Sequence, residues 1–340
     1  MVKKGSDTVL KQHKLVVKIL LVAFVLFINI LFSQKPFVFK YSNSQPEQHP
    51  RSQSMIFFKT EVEKRTNGRI QVENYFSAVL GTEFEIQDMV ATGALQGTRG
   101  GGFIHANKKY YIFMLPFLVD NWDQALKLIS SDFTKLINKE ARANGFHIPA
   151  CGISQGFRAH TNSVRPIRTP EDLKGLKMRV PQQEVYVVNS RTLGINPQQL
   201  PYSEVYMALK TGVVDGQDNA VSNIWDYKIY EVQKYLTISN YATGPDPFMV
   251  NLDWYNNLPA DLQQIFDQVA VETMKYSDQM NRKNEDLYIK QLAEKLETNF
   301  VTPENLEKFR IATKPVYQYF IDKGYFTWDD INAARACINE

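Results

Sequence analysis

The chain has 340 residues, 44% of them hydrophobic and 22% charged, which excludes an intrinsically disordered protein and leaves room for two domains of ordinary size. The formal net charge is +3, but residues 1–33 carry Lys3, Lys4, Lys11, Lys14 and Lys18 against Asp7 alone, so the remainder is near neutral at −1. That balance excludes the basic field of a nucleic-acid-binding protein, and two cysteines in so long a chain exclude a disulfide framework.

In chain order, the basic start is followed by the nearly apolar run Ile19–Phe32, 14 residues long. This is the pattern of a secretory signal peptide over residues 1–33, with an uncleaved membrane anchor as the alternative. Everything after it is expected to be exported and soluble. Residues 36–41 read as a first strand, rich in aromatic and β-branched residues. A polar loop over residues 42–50 leads into a helix that stops at Asn67-Gly68. Residues 69–75 alternate with period two as a strand, and a helix follows over residues 83–95. The strand–helix–strand–helix order predicts an α/β layered domain with largely parallel strands. Further on, Thr169-Pro170-Glu171-Asp172, Ser203 and Thr302-Pro303-Glu304 carry helix-start signals. Apolar residues keep helical spacing between Pro259 and Asn299, a run of roughly 55 Å at 1.5 Å per residue, long enough to lie along two lobes.

Enzyme motifs fail on inspection. Gly152-Ile-Ser154-Gln-Gly156 matches a nucleophile elbow, but only His160 follows it, no acid stands between them, and the next residues are strand-like rather than helical. Gly97-Thr-Arg-Gly-Gly-Gly102 lacks the spacing and terminal Lys-Ser/Thr of a phosphate loop and follows a helical pattern, against a dinucleotide site. Histidines are few and scattered, so no metal site, no cofactor and no catalytic residue are expected. Cys151 and Cys337 are read as unpaired.

The informative segment is residues 152–244. Gly156-Phe-Arg158, the run from Ile167 through Lys177-Met-Arg179-Val-Pro181, Ser203–Leu209, Thr211–Asn219 and Tyr230–Leu236 occur in order, and closely resemble the solute-binding proteins of TRAP (tripartite ATP-independent periplasmic) transporters, the C4-dicarboxylate-binding type. The likeness extends back through Pro116-Phe-Leu118 and Asn67-Gly-Arg69. It implies an α/β, two-lobed periplasmic-binding-protein-like fold, with a ligand cleft between the lobes and a long helix running along both. Residues 35–157 and about 245–280 would form the first lobe, residues 158–244 and about 281–340 the second.

The resemblance also implies that Arg179 forms a two-pronged salt bridge with a ligand carboxylate, for which a planar guanidinium has the matching pair of parallel donors. Arg158 matches a second arginine that reaches the bound acid, with a structural pair to a cleft carboxylate as its alternative. Asn219 matches a residue that bonds the ligand or holds the clamp, although Asp218 stands where glutamate is usual. Tyr202 matches an aromatic that packs on the ligand's body. Gln182, Trp225 and Tyr241 are further candidates, and Tyr41 and the glycine run around Gly101 are expected to face the cleft from the first lobe. The expected function is capture of a small organic acid and its delivery to the permease subunits of a TRAP transporter in the periplasm, by a monomer. Two arginines would suit a dicarboxylate, a 2-oxo acid, a hydroxy acid or a sugar acid alike. The alternative is a sensor reporting to a membrane signalling partner.

Overall fold

The computed structural model describes Lys18, residues 35–100 and residues 103–339. The signal peptide predicted over residues 1–33 and the glycine Gly101 lie outside the described residues. No helix among those described is long and apolar enough to cross a membrane.

The chain runs β1 (Phe37–Ser42), α1 (Pro50–Arg65), β2 (Ile70–Tyr75), α2 (Glu83–Ala91), β3 (Gly97–Thr98), α3 (Trp122–Ser130), α4 (Asp132–Glu140) and β4 (Phe146–His147). Then follow β5 (Cys151–Ile153), β6 (Arg158–Asn162), β7 (Lys177–Val180), α5 (Glu184–Thr192), β8 (Asn196–Gln199), α6 (Val205–Lys210), β9 (Gly216–Ala220) and α7 (Val221–Asp226). The last stretch comprises β10 (Tyr235–Ile238), β11 (Pro245–Pro247), β12 (Met249–Asn251), α8 (Leu252–Asn256), α9 (Ala260–Ala293), β13 (Glu297–Phe300), α10 (Pro303–Asp322) and α11 (Trp328–Asn339).

Two mixed sheets result, one for each lobe. The first has the order β2-β1-β3-β12-β4, with β1 parallel to β2 and β3 but β12 antiparallel to both its neighbours. The second has the order β13-β10-β6-β9-β7-β8. Its β6 is antiparallel to both β9 and β10, whereas β7 is parallel to β8 and β9. The expectation of largely parallel strands therefore holds only for part of each sheet. The reason is topological: a strand that enters from the other lobe arrives without the helical crossover that keeps neighbours parallel. The crossing strands β5 and β11 pair antiparallel, with Asp246 opposite Gly152.

The first core is aromatic, with Phe39, Tyr41, Phe58, Phe248 and Phe266 all fully buried against one another. Burial of these rings removes the largest apolar area per residue and supplies tilted and edge contacts besides. Thr169–Asp172 begins a single 3₁₀ turn over Pro170–Leu173 rather than an α-helix. Gly175 follows at positive φ, and the chain turns directly into β7. The long helix is real but ends at Ala293, giving 34 residues and about 51 Å. Its first half, from Leu262 to Met274, packs in the aromatic core, while Leu292 packs in the core of the second lobe. Helix α10 packs on α5, whereas α11 packs on α3 and α4 of the first lobe.

Two buried acids of α9, Asp278 and Glu285, pin the first crossing. Asp278 Oδ1 accepts the Ile153 amide at 2.8 Å, and Glu285 Oε2 accepts the Trp122 indole N–H at 2.6 Å. Gly156 stands against Glu285 at φ +96°, and a Cβ there would lie 2.5 Å from the Glu285 Oε2. The nucleophile-elbow resemblance thus arises partly from this close packing: the second glycine admits a helix carboxylate.

Burial pushes the Glu285 carboxyl up to about 7 from 4.5, against the opposing pull of its indole and backbone donors. The folded protein holds this proton to higher pH than the unfolded chain does. Its contribution to stability is therefore complete below about pH 4.5 and is lost as pH rises toward 7. Glu285→Gln is expected to remove a decline on the order of 2–3 kcal/mol from that window. Thermal unfolding of both proteins across pH 4 to 8 checks this, and superimposable profiles would contradict it.

Candidate functional site

The wall of the second lobe is the cleft edge of three neighbouring strands. β7 and β9 end there and β6 begins there, which places Arg179, Asn219 and Arg158 side by side. Ligands of open α/β sheets lie at such strand ends. Arg179 is 3% exposed, yet the one side-chain hydrogen bond it makes among the described residues runs from Nε to the Leu200 carbonyl at 3.0 Å. No carboxylate pairs with it among the described residues. Burial, and then the charge of Arg158, pull it down to about 10 from 12.5, so it remains a cation at neutral pH but an unusually costly one. Its guanidinium carbon sits 5.8 Å from the centre of the Tyr202 ring.

Arg158 is different. Its Nε donates to Asp218 Oδ1 at 2.5 Å, its Nη2 to the Asp218 carbonyl at 2.7 Å, and it stacks over Tyr186 at 4.3 Å. Burial works against its charge, but Asp218 outweighs that and holds it above the usual arginine range. Tyr241 donates to the other Asp218 oxygen at 2.5 Å and stacks on His160. Asn219 Oδ1 accepts from Asn223 Nδ2, while its own Nδ2 is buried with no partner.

The wall of the first lobe comes from helix starts. Arg51 lies in the first turn of α1, where a cation opposes the helix dipole. Asp246 of β11 offsets this, accepting from Arg51 Nε at 3.2 Å and from Arg99 Nη2 at 2.5 Å. Glu83 opens α2, where a carboxylate suits the dipole, behind the Thr82 cap. Its Oε1 accepts from Ser44 at 2.8 Å and stands 3.8 Å from Arg51 Nη1. Gly100, at φ +106°, backs this pair, since a Cβ there would meet Arg51 Nη1 at 2.8 Å and Glu83 Oε1 at 3.1 Å.

Both walls line one cavity of about 60 Å³ containing Arg51, Glu83, Arg158, Arg179, Tyr202 and Asn219, with Gln45, Gln155, Gln183 and Asn223 around them. Buried polar atoms without partners gather here: Gln45 Oε1, Arg51 Nη1, Gln155 Nε2, Gln183 Oε1, Asn219 Nδ2 and Asn223 Oδ1. Roomier hollows lie between α10 and α11 and beside Cys151, but neither is lined by such an atom. Since buried polar groups are normally paired, the cluster marks the space that a polar ligand fills. Lobe-to-lobe contacts surround it, including Tyr227 Oη to the Ser44 carbonyl at 3.1 Å and the Glu184 amide to Tyr111 Oη at 3.1 Å.

Of the residues singled out in the sequence, Arg179, Arg158, Asn219 and Tyr202 meet in this cavity, and Gln182 lines a smaller one adjoining it. Tyr241 stands behind it, on Asp218. Tyr41 does not face the cleft: strand alternation turns it into the aromatic core, where it is fully buried. Trp225 packs on Tyr230 and Tyr288 away from the cavity, on the core side of α7. Sequence reading missed Arg51, Glu83, Gln155, Gln183 and Asn223. Arg51 had a legible signal, a base in a helix's first turn with no acid beside it. Cys151 and Cys337 are both free thiols.

This fold and site define a two-lobed binding protein whose ligand sits between α/β lobes. The model of bacterial extracellular solute-binding protein family 7, DctP, matches residues 41–323, and the chain belongs to that family. The C4-dicarboxylate-binding periplasmic protein DctP of Rhodobacter capsulatus is 27% identical over 317 residues, covering 89% of this chain and 92% of that one. The sugar-acid-binding DctPAm of Advenella mimigardefordensis, solved with galactonate, superposes with a TM-score of 0.84 at 26% identity over 90% of this chain and 98% of its own. A TRAP periplasmic solute-binding protein of Ralstonia eutropha, solved with (S)-2-acetolactate, gives 0.83 at 28% identity over 90% and 99%. The chain is thus a solute-binding receptor of the TRAP transporter type, and its family is a transport family rather than an enzyme family. The sensor alternative draws no support from these relatives.

The two arginines should separate in a stability measurement without ligand. Asp218→Asn, which strips Arg158 of its partner, is expected to cost about 3–5 kcal/mol. Arg179→Met, which removes a buried cation that has no partner, should leave stability unchanged or raise it. Urea denaturation of both variants decides, and equal losses would contradict the distinction.

Proposed function

We propose that the chain captures a small organic acid by its carboxylate, with Arg179 as the clamp, and presents the closed complex to TRAP membrane subunits. The observation that carries this reading is a buried guanidinium whose two terminal nitrogens have no acceptor among the described residues. A carboxylate placed there forms two parallel charge-assisted bonds and relieves the burial cost of the cation. Asn219 donates its free amide to the same ligand, Tyr202 flanks its body, and Arg158, already paired, lines the wall as an oriented donor. Relatives solved with galactonate and with (S)-2-acetolactate hold carboxylates, which supports the same chemistry here.

Function follows from differential contact. The ligand touches the second lobe through Arg179 and Asn219 and the first through residues around Glu83 and Arg51, so only the closed form makes all the bonds. Residues 35–157 with about 245–280 and the C-terminal α11, and 158–244 with the rest of about 281–340, are the two moving bodies, hinged at the β5 and β11 crossings. The receptor acts as a monomer in the periplasm, exported through residues 1–33, and releases its ligand chemically unchanged.

Isothermal titration with galactonate, D-erythronate, 2-acetolactate and succinate tests the reading. A ligand at about 100 times its Kd should also stabilise the fold by roughly 2.7 kcal/mol. Arg179→Ala is expected to lose about 2–5 kcal/mol of affinity, and Arg179→Lys most of that, because a lysine has charge without the fork. A folded Arg179→Ala protein that binds as tightly as wild type would sink the clamp.

A further inference from the structure

We infer that the cleft selects hydroxylated monocarboxylates over dicarboxylates, and that Glu83 is the residue that sets this preference. The inference rests on the carboxylate-binding reading above and concerns the ligand's other end.

Charge is the first observation. In and immediately behind the lining stand the arginines Arg51, Arg99, Arg158 and Arg179 against the carboxylates Asp218, Asp246 and Glu83. Asp218 is committed to Arg158, and Asp246 is shared by Arg51 and Arg99, which leaves a surplus of one positive charge, at Arg179. Nearby titratable groups add nothing positive: His49 is buried beside Arg51 and pushed down to about 3, so it is neutral. Asp226 and Asp278, raised by burial to about 6 and about 7, contribute only negative charge. The site therefore balances at most one ligand carboxylate, and a second would be buried without a counter-charge.

Hydrogen-bond chemistry is the second observation. The lining offers unpartnered acceptors at Gln45 Oε1, Gln183 Oε1 and Asn223 Oδ1. Glu83 adds its Oε2, which has no donor among the described residues, on a side chain 27% exposed. A dicarboxylate such as succinate carries acceptors only and leaves all of these unpaired. A polyhydroxy acid carries one donor per hydroxyl. Sites built to bond a hydroxyl reject analogues that lack it far more strongly than apolar pockets reject a missing methylene.

Glu83 combines both effects. It lines the main cavity together with Arg179 and also the smaller one adjoining it. The Ser44 hydroxyl and the start of α2 hold its carboxylate in place. Facing a hydroxymethyl group it accepts a hydrogen bond, whereas facing a carboxylate it repels.

Matched ligand pairs test this directly, because D-erythronate and meso-tartrate differ only in a terminal hydroxymethyl or carboxylate, as do galactonate and galactarate. By isothermal titration, the monocarboxylate of the tighter-binding pair is expected to win by at least about tenfold. Glu83→Gln, which keeps the Ser44 bond and the fold, should shrink that ratio by about tenfold, weakening the monoacid and strengthening the diacid. Equal or tighter binding of the diacid by the wild type, or an unchanged ratio in Glu83→Gln, would overturn the inference while leaving the clamp intact. If no carboxylate in the wider panel binds at all, the carboxylate reading fails and takes this inference with it.

Discussion

A guanidinium buried at 3% exposure without an acid beside it sets the terms for everything else in this cleft. Taking a cation out of water costs several kcal/mol even after relaxation, and proteins normally offset that with a paired carboxylate. Arg158 and Arg51 follow the ordinary solution. Arg179 does not, and the single bond to the Leu200 carbonyl orients it without neutralising it. The cost is carried by the rest of the fold: β7 is an interior strand of a six-stranded sheet, and the polypeptide on either side of Arg179 is locked by ladders to β8 and β9. A flexible loop would swing such a side chain into solvent. A strand held between two neighbours cannot, so its terminal nitrogens stay directed at the cavity.

The neighbouring ion pairs sharpen this. Because Asp218, Asp246 and Glu83 offset the other three arginines, the cleft carries no more than one uncompensated positive charge rather than a broad positive field, and orientation comes from direct bonds instead of long-range attraction. Tyr241 holds Asp218 from behind, and α9 holds the crossing strands through Asp278 and Glu285. Rigid supports behind movable lobes are what differential binding requires, since energy spent on straightening the site would be lost from closure.

How much of this could be read beforehand divides along physical lines. Elements with strong local determinants were legible: the first strand with its aromatic residues, the start of the helix at Glu83, the capped helix at Pro303, and the long helix whose apolar spacing never breaks. The cleft edge of the second lobe was legible through the resemblance, whose motifs carry Arg158, Arg179 and Asn219; the strands then explain why the three share an edge. Tyr41 was misplaced because residues at a strand's end alternate in and out, and nothing local says which face the other lobe will cover. The turn at Thr169–Asp172 carried every helix-start signal, yet Gly175 and the start of β7 end it after one turn. Arg51 and Glu83 escaped for a different reason. Each opens a separate helix, 32 positions apart in sequence, and only the fold brings both to Gly100.

That separation explains a division of labour between the lobes. The second lobe builds its side of the site from adjacent strands, whose geometry tolerates little variation, and so it suits the constant part of the proposed ligand, its carboxylate. The first lobe builds its side from the starts of α1 and α2 and from the glycine-rich segment, where side chains can be exchanged without disturbing a hydrogen-bond ladder. On the proposed reading, a change at position 83 would alter the charge presented to the ligand's far end and leave Arg179 as it is. Closure then reads both ends at once: the second lobe asks whether the ligand is an acid, the first which acid, and the lobes stay together only when both are answered by bonds.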